Sequence, residues 1–170
     1  MSYKWIGAIM IIVSCGGFGF SVAAMQLREE KSLRQLIAAL DFMECELQYR
    51  LTPLPDLCRQ TSGEARGGIR EVFRILAEEL EAQISPDVER CMDAALSQNQ
   101  NLPVHTRQAF QLLGQSLGRF DLPGQLKGLE TVRTLCRSRL EILTTNKEPR
   151  LRSYQTLGIC AGAALAILFL

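Results

Sequence analysis

The sequence predicts an all-α protein, a helical bundle with an N-terminal and a C-terminal transmembrane helix. Apolar residues gather at both ends of the 170-residue chain, and charged residues sit between them. In the middle, apolar residues recur every three to four positions, the spacing of one helix face, and no stretch reads as a convincing strand. Proline, glycine and capping side chains punctuate that middle where helices start and stop. The expected organisation is an N-terminal transmembrane helix over 1–25, a helical bundle over 26–153 and a C-terminal transmembrane helix over 154–170.

The first element is the apolar run Trp5 to Met25, about 20 residues and enough to cross a hydrocarbon core as a helix. Tyr3, Lys4 and Trp5 stand at its start, where aromatic and basic side chains suit the interface. Ile12-Val13-Ser14-Cys15 resembles a lipoprotein processing box. The apolar character continues past Cys15 to Met25, however, whereas a processing site lies at the end of such a region. A retained anchor is therefore expected.

No glycine or proline interrupts Ala23–Arg50, so the next helix, Gln26 to Leu51, should continue the first without a break. Its stripe is Leu33, Leu36, Ile37, Leu40, Leu47 and Leu51. Glu44 falls in line with that stripe, with Glu46 and Tyr49 on flanking positions. A carboxylate there is costly to bury unless paired. It reads as a boundary residue held by an arginine of another helix, or as a polar hot spot that receives a partner protein. A catalytic acid has the least support, since no second acid or base is placed with it.

Thr52-Pro53 reads as an N-cap with proline in the first turn, opening a short helix to about Thr61. Ser62-Gly63 and Gly67-Gly68 should bound a loop. A helix over Ile69–Ile84 presents Val72, Phe73, Leu76 and Leu80 on one face, and the charges of Arg66–Glu81 read as its solvated side. Ser85-Pro86 repeats the cap-and-proline signal, with Asp87 and Glu89 at the positive end of the helix dipole. Asn99–Asn101 ends that helix and Pro103 opens the next, whose stripe is Phe110, Leu113 and Leu117 and whose C-cap is Gly118. Asp121 and Pro123 start the last helix of the middle, to about Lys147, with Leu126, Leu129, Val132, Cys136, Leu140 and Leu143 as its stripe. Pro149 should kink or break the chain. The apolar Tyr154–Leu170 then forms a short second span at the low edge of the usual range. Gly158 and Gly162 share one face there, a spacing that lets membrane helices pack closely.

Composition excludes several function classes. Lys+Arg number 19 against Asp+Glu 18, so no basic field attracts nucleic acid. The six cysteines form no CxxC, and none lies near His105, the single histidine, in the sequence. No metal site is expected, and reduced, buried thiols facing a cytosol are the simplest reading. No GxxxxGK[ST] loop occurs, so the chain should not hydrolyse ATP itself. No cofactor and no small-molecule substrate are expected. Arg28, Lys31 and Arg34 follow the first span and Lys147, Arg150 and Arg152 precede the second. Under the positive-inside rule the middle then faces the cytoplasm.

Several of these residues resemble one family. Arg34-Gln35-Leu36, Ala39-Leu40, Glu44, Glu46, Tyr49 and Thr52-Pro53-Leu54 form one motif; Leu117-Gly118, Asp121 and Gln125 a second; and Leu157-Gly158 with the apolar tail a third. With the chain length and the position of both spans, they resemble the stage III sporulation protein AB family of endospore-forming bacteria. The resemblance covers the whole chain, although Ser62–Val104 carries no motif to match, and the chain departs from the family in carrying many cysteines. It implies a part in a secretion-like complex joining mother cell and forespore. The family's helical domain is similar to that of the inner-membrane platform protein of type II secretion and type IV pilus systems. That likeness implies a bundle in the mother-cell cytoplasm that contacts a separate, cognate hexameric secretion-type ATPase and other channel subunits.

The expectation is thus a non-enzymatic, multi-pass membrane scaffold. Arg34, Glu44, Glu46, Tyr49, Thr52, Pro53, Asp121 and Gln125 would supply its partner surface, or the polar core that shapes it, and Gly158 and Gly162 its membrane packing. One alternative is an exterior, lipoprotein-like helical binding module anchored through Cys15. Another is a thiol enzyme using Cys58 or Cys91 with His105, which would need a strongly depressed thiol pKa.

Overall fold

A computed structural model describes residues 2–82, 87–118 and 121–145 of the chain. Among them are six α-helices and no strand: α1 (Ser2–Arg50), α2 (Leu54–Glu64), α3 (Gly67–Glu81), α4 (Val88–Gln98), α5 (Val104–Ser116) and α6 (Leu122–Thr145). The chain divides into two compact units, one of Glu29–Leu140 and one of Met1–Arg28 and Glu141–Leu170. In the first, the fold is the expected all-α bundle.

Hydrophobic burial explains the order of the helices. Leu33, Leu36, Leu40, Met43 and Leu47 turn one face of α1 inward, and all five are buried. α2 packs on α3, α3 on α4 and α4 on α5, each helix against its successor. Phe73 of α3 and Phe110 of α5 meet edge to face at the centre, with ring centroids 5.3 Å apart and planes at 65°. Each fully buried side chain of this size stabilises by about 1.5–3 kcal/mol over leaving it in water. Leu129, Val132 and Cys136 bury the matching stripe of α6.

Several helix ends follow the sequence. Asp87, rather than the expected Ser85, caps α4, its Oδ1 accepting from Glu89 N at 3.3 Å. Asp121 caps α6, its Oδ1 accepting from Gly124 N at 3.2 Å. Gly118 takes φ +76° just past α5, and a side chain added there would run into Val88. α1 is continuous through Ala23–Arg50, as the missing breakers predict.

Three further expectations are corrected. Thr52 does not cap α2: Pro53 holds that position with no side-chain bond, and the Thr52 hydroxyl instead donates to Glu46 Oε2 at 3.3 Å. The cause is Leu51, whose φ of 53° turns the chain back over the end of α1. That turn also takes Leu51 off the buried stripe and leaves it 67% exposed. Ser62-Gly63 lie inside α2, because Ser62 Oγ donates to the Arg59 carbonyl at 2.7 Å and so stays within the helix. The break comes at Ala65-Arg66, with Gly67 (φ 59°) opening α3.

Among the described residues no helix is long and apolar enough to cross a membrane. Apart from Ser21, Ala24 and Met25, the side chains of the first proposed span lie outside the described residues, as do the Ser85-Pro86 signal and the second proposed span with Gly158 and Gly162.

Candidate functional site

Two of the singled-out motifs meet at one end of the bundle. A Cβ on Gly118, at the end of α5, would lie 3.7 Å from Leu54 Cδ2, at the start of α2. This joins the Thr52-Pro53-Leu54 corner to the turn that leads into Asp121 and α6. Glu46 organises the corner. One of its oxygens accepts from Thr52, and the other pairs with Arg50 Nη1 at 3.5 Å. Beyond these braced groups Tyr49 stands 78% exposed, with Leu51 and Pro53 also at the surface. Gln125, one turn into α6, donates its backbone N–H to the Asp121 carbonyl at 2.9 Å.

Glu44 and Arg34 are placed elsewhere. Glu44 is a boundary residue held by an arginine of another helix: Arg133 of α6 pairs with it, and Arg133 Nη1 also donates to Asp41 Oδ1 at 3.0 Å. The hydrogen bond to Asp41 leads the causes that push the already high pKa of Arg133 further up. Arg139 Nε donates to Glu29 Oε1 at 3.3 Å, and His105 Nε2 lies 3.7 Å from the same oxygen. Rising numbers on α1 thus match falling numbers on α6, so within Glu29–Leu140 the two helices run antiparallel along a charged edge. Arg34 pairs with Glu30 on its own helix at 3.1 Å.

The sequence reading missed Arg133, Arg139 and Glu29. Their signal is an acidic edge at 29, 41 and 44 facing a basic one at 133, 137 and 139. It is invisible until the two helices are known to pair.

The three buried cysteines, Cys58, Cys91 and Cys136, are passive. Cys58 is fully buried and its thiol is pushed up to about 12, and burial raises Cys136 to about 11. Cys91 is also raised, first by burial and then by Glu79 and Asp87. These shifts run opposite to what a thiol nucleophile needs. His105 lines a cavity of about 60 Å³ with Cys136 and Arg139, and neither Cys58 nor Cys91 belongs to it. Among the described residues the thiol-enzyme alternative therefore has no assembled site. Among the described residues no group of three or more His, Cys, Asp or Glu could hold a metal ion.

A larger cleft, about 370 Å³, opens between α1 and the α2–α3 connection. Gln35, Ala38, Ala39 and Phe42 form one wall, and Glu64, Ala65 and Arg66 the other.

Comparison with known proteins gives one consistent result. A solved structure of a stage III sporulation protein AB (SpoIIIAB) superposes with a TM-score of 0.64. It covers 72% of this chain and 98% of that one at 19% identity, which supports the fold alone. The stage III sporulation protein AB of Bacillus subtilis (strain 168) is 23% identical over 170 residues, spanning 98% of this chain and 99% of that protein. The profile described as Stage III sporulation protein AB matches residues 4–170, both apolar ends included. The chain belongs to the stage III sporulation protein AB family.

Proposed function

We propose that this chain is a non-enzymatic platform subunit of a secretion-like complex between mother cell and forespore. Its helical unit docks a cognate hexameric secretion-type ATPase on the cytoplasmic side, and its two apolar ends anchor it in the membrane beside other channel subunits. A role in sporulation follows from family membership. The observation that carries the finer reading is the family match over residues 4–170, which takes in the bundle and both apolar ends together.

The geometry supports a docking rather than a chemical role. The polar motif residues cap helices, brace a corner or join α1 to α6. That leaves Tyr49, Pro53 and the outer edge of Asp121 and Gln125 as the candidate partner surface at the end of the bundle. Aromatic residues that protrude from a braced, rigid corner are favoured anchors in protein interfaces.

Binding of the purified cognate ATPase to the full-length protein in detergent tests the reading. Saturable binding is expected, weakened at least about tenfold by Tyr49→Ala combined with Asp121→Ala. Sporulation in cells carrying the double variant should fall in parallel. No binding by the wild-type chain overturns the docking role. Wild-type affinity in a folded double variant removes these residues from the surface.

A further inference from the structure

α1 carries two rows of residues at the same alternating three-and-four spacing. Leu33, Leu36, Leu40, Met43 and Leu47 form the inner row and are buried. Two positions on, about 200° around the helix, Gln35, Ala38, Phe42, Cys45 and Tyr49 repeat the spacing on the other side. Ala38, Cys45 and Tyr49 are exposed, and Gln35 and Phe42 are half-buried. A solvated face has no need of apolar and aromatic residues at this period, whereas a seam between helices does.

The outer row also forms a wall. Gln35, Ala38 and Phe42 line the 370 Å³ cleft whose other wall is Glu64, Ala65 and Arg66. That volume falls within the range of about 300–1,000 Å³ that ligand-holding pockets occupy. The alanines let a second helix come close, because the side chains at a contact set the interaxial distance. Lys31 continues the row one step toward the N-terminus. Among the described residues, Lys31, Arg66 and Glu64 enter no ion pair.

We propose that the outer face of α1 and the cleft beside it receive one amphipathic helix of a partner protein. Its apolar residues repeat at three and four, its acidic residue meets Lys31 and Arg66, and its basic residue meets Glu64. This is helix-in-groove recognition, with Phe42 and Tyr49 as the large anchors. A second copy of this chain fits less well. A parallel pairing of two outer rows sets Asp41 of one chain against Glu46 of the other, a like-charge contact along the seam. The inference rests on the platform reading, and the helix it assigns belongs to the ATPase of that reading.

The test uses full-length protein in detergent and the purified cognate ATPase. Alkylation of Cys45 by N-ethylmaleimide is followed by peptide mass, with buried Cys58 and Cys91 as references. Bound ATPase should slow Cys45 alkylation at least about tenfold, the protection expected of a residue inside an interface core. Phe42→Asp, and Lys31→Glu with Arg66→Glu, should each weaken binding by about tenfold or more. If the ATPase binds while Cys45 stays as reactive as in the free protein, the docking face is overturned and the platform reading stands. If the wild-type chain binds no ATPase, both fall. Oxidation that joins two chains through Cys45 places a second copy on this face and overturns the proposal.

Discussion

Leu51 holds φ at 53°, in the left-handed region, with two-thirds of its surface in water. A branched residue there costs about 1–2 kcal/mol against a right-handed conformation. Nothing buried offsets that cost, so Leu51→Asn, whose short side chain tolerates the left-handed region, should raise stability by about 0.5–1 kcal/mol. Chemical denaturation of the two proteins checks this, and an unchanged or lower midpoint would contradict it. Cys58 gives a prediction of opposite character. Burial lifts its folded thiol from an ordinary 9.0 to about 12. The unfolded thiol therefore ionises first, so the contribution of Cys58 is complete below pH 9 and is lost as pH rises from 9 toward 12. Cys58→Ala should flatten the alkaline decline of the denaturation midpoint over that window. At this scale the sequence was partly legible. The cap at Asp121 follows from residue type, while the Leu51 turn does not, because no local rule assigns leucine a positive φ.

At the scale of elements, α1 and α6 are joined by charge as much as by packing. Arg133 has 20% of its side chain exposed and serves both Asp41 and Glu44. Truncation removes both bonds and leaves Glu44 on the apolar boundary without its cation. Arg133→Ala should therefore cost about 1–2 kcal/mol, read as a lower denaturation midpoint. Arg137→Ala, which loses only a 3.9 Å contact at an exposed site, should cost well under about 1 kcal/mol. Equal effects of the two would contradict the assignment of Arg133 as the link. The stripes of α3, α5 and α6 were legible from period alone, since Phe73, Phe110 and Leu129 are buried where the spacing puts them. The end of α2 was not. Ser62-Gly63 has turn composition, yet Ser62 bonds back to the Arg59 carbonyl and the helix runs on to Glu64.

At the scale of the whole molecule, family membership rests on the match over residues 4–170. The all-α bundle agrees with the solved family structure. The candidate surface was legible only in fragments. Tyr49 and Pro53 stand exposed as a partner surface requires, but Glu44 and Arg34 are spent on internal ion pairs. The outer row of α1 does not stand out in the sequence, because Gln35, Ala38 and Cys45 dilute the apolar signal of Phe42 and Tyr49. The bundle also decides how its topology can be measured. Cys58, Cys91 and Cys136 are buried, whereas Cys45 is exposed.

The proposed docking role needs a bundle held on the cytoplasmic side of the membrane, within reach of an ATPase. Its most direct test labels Cys45 with a membrane-impermeant thiol reagent in intact and in opened cells expressing the full chain, read at the level of the Cys45 peptide. Labelling only after the cells are opened is expected. Labelling of Cys45 in intact cells would put the bundle outside, remove the docking role and favour an exterior, lipoprotein-like binding module.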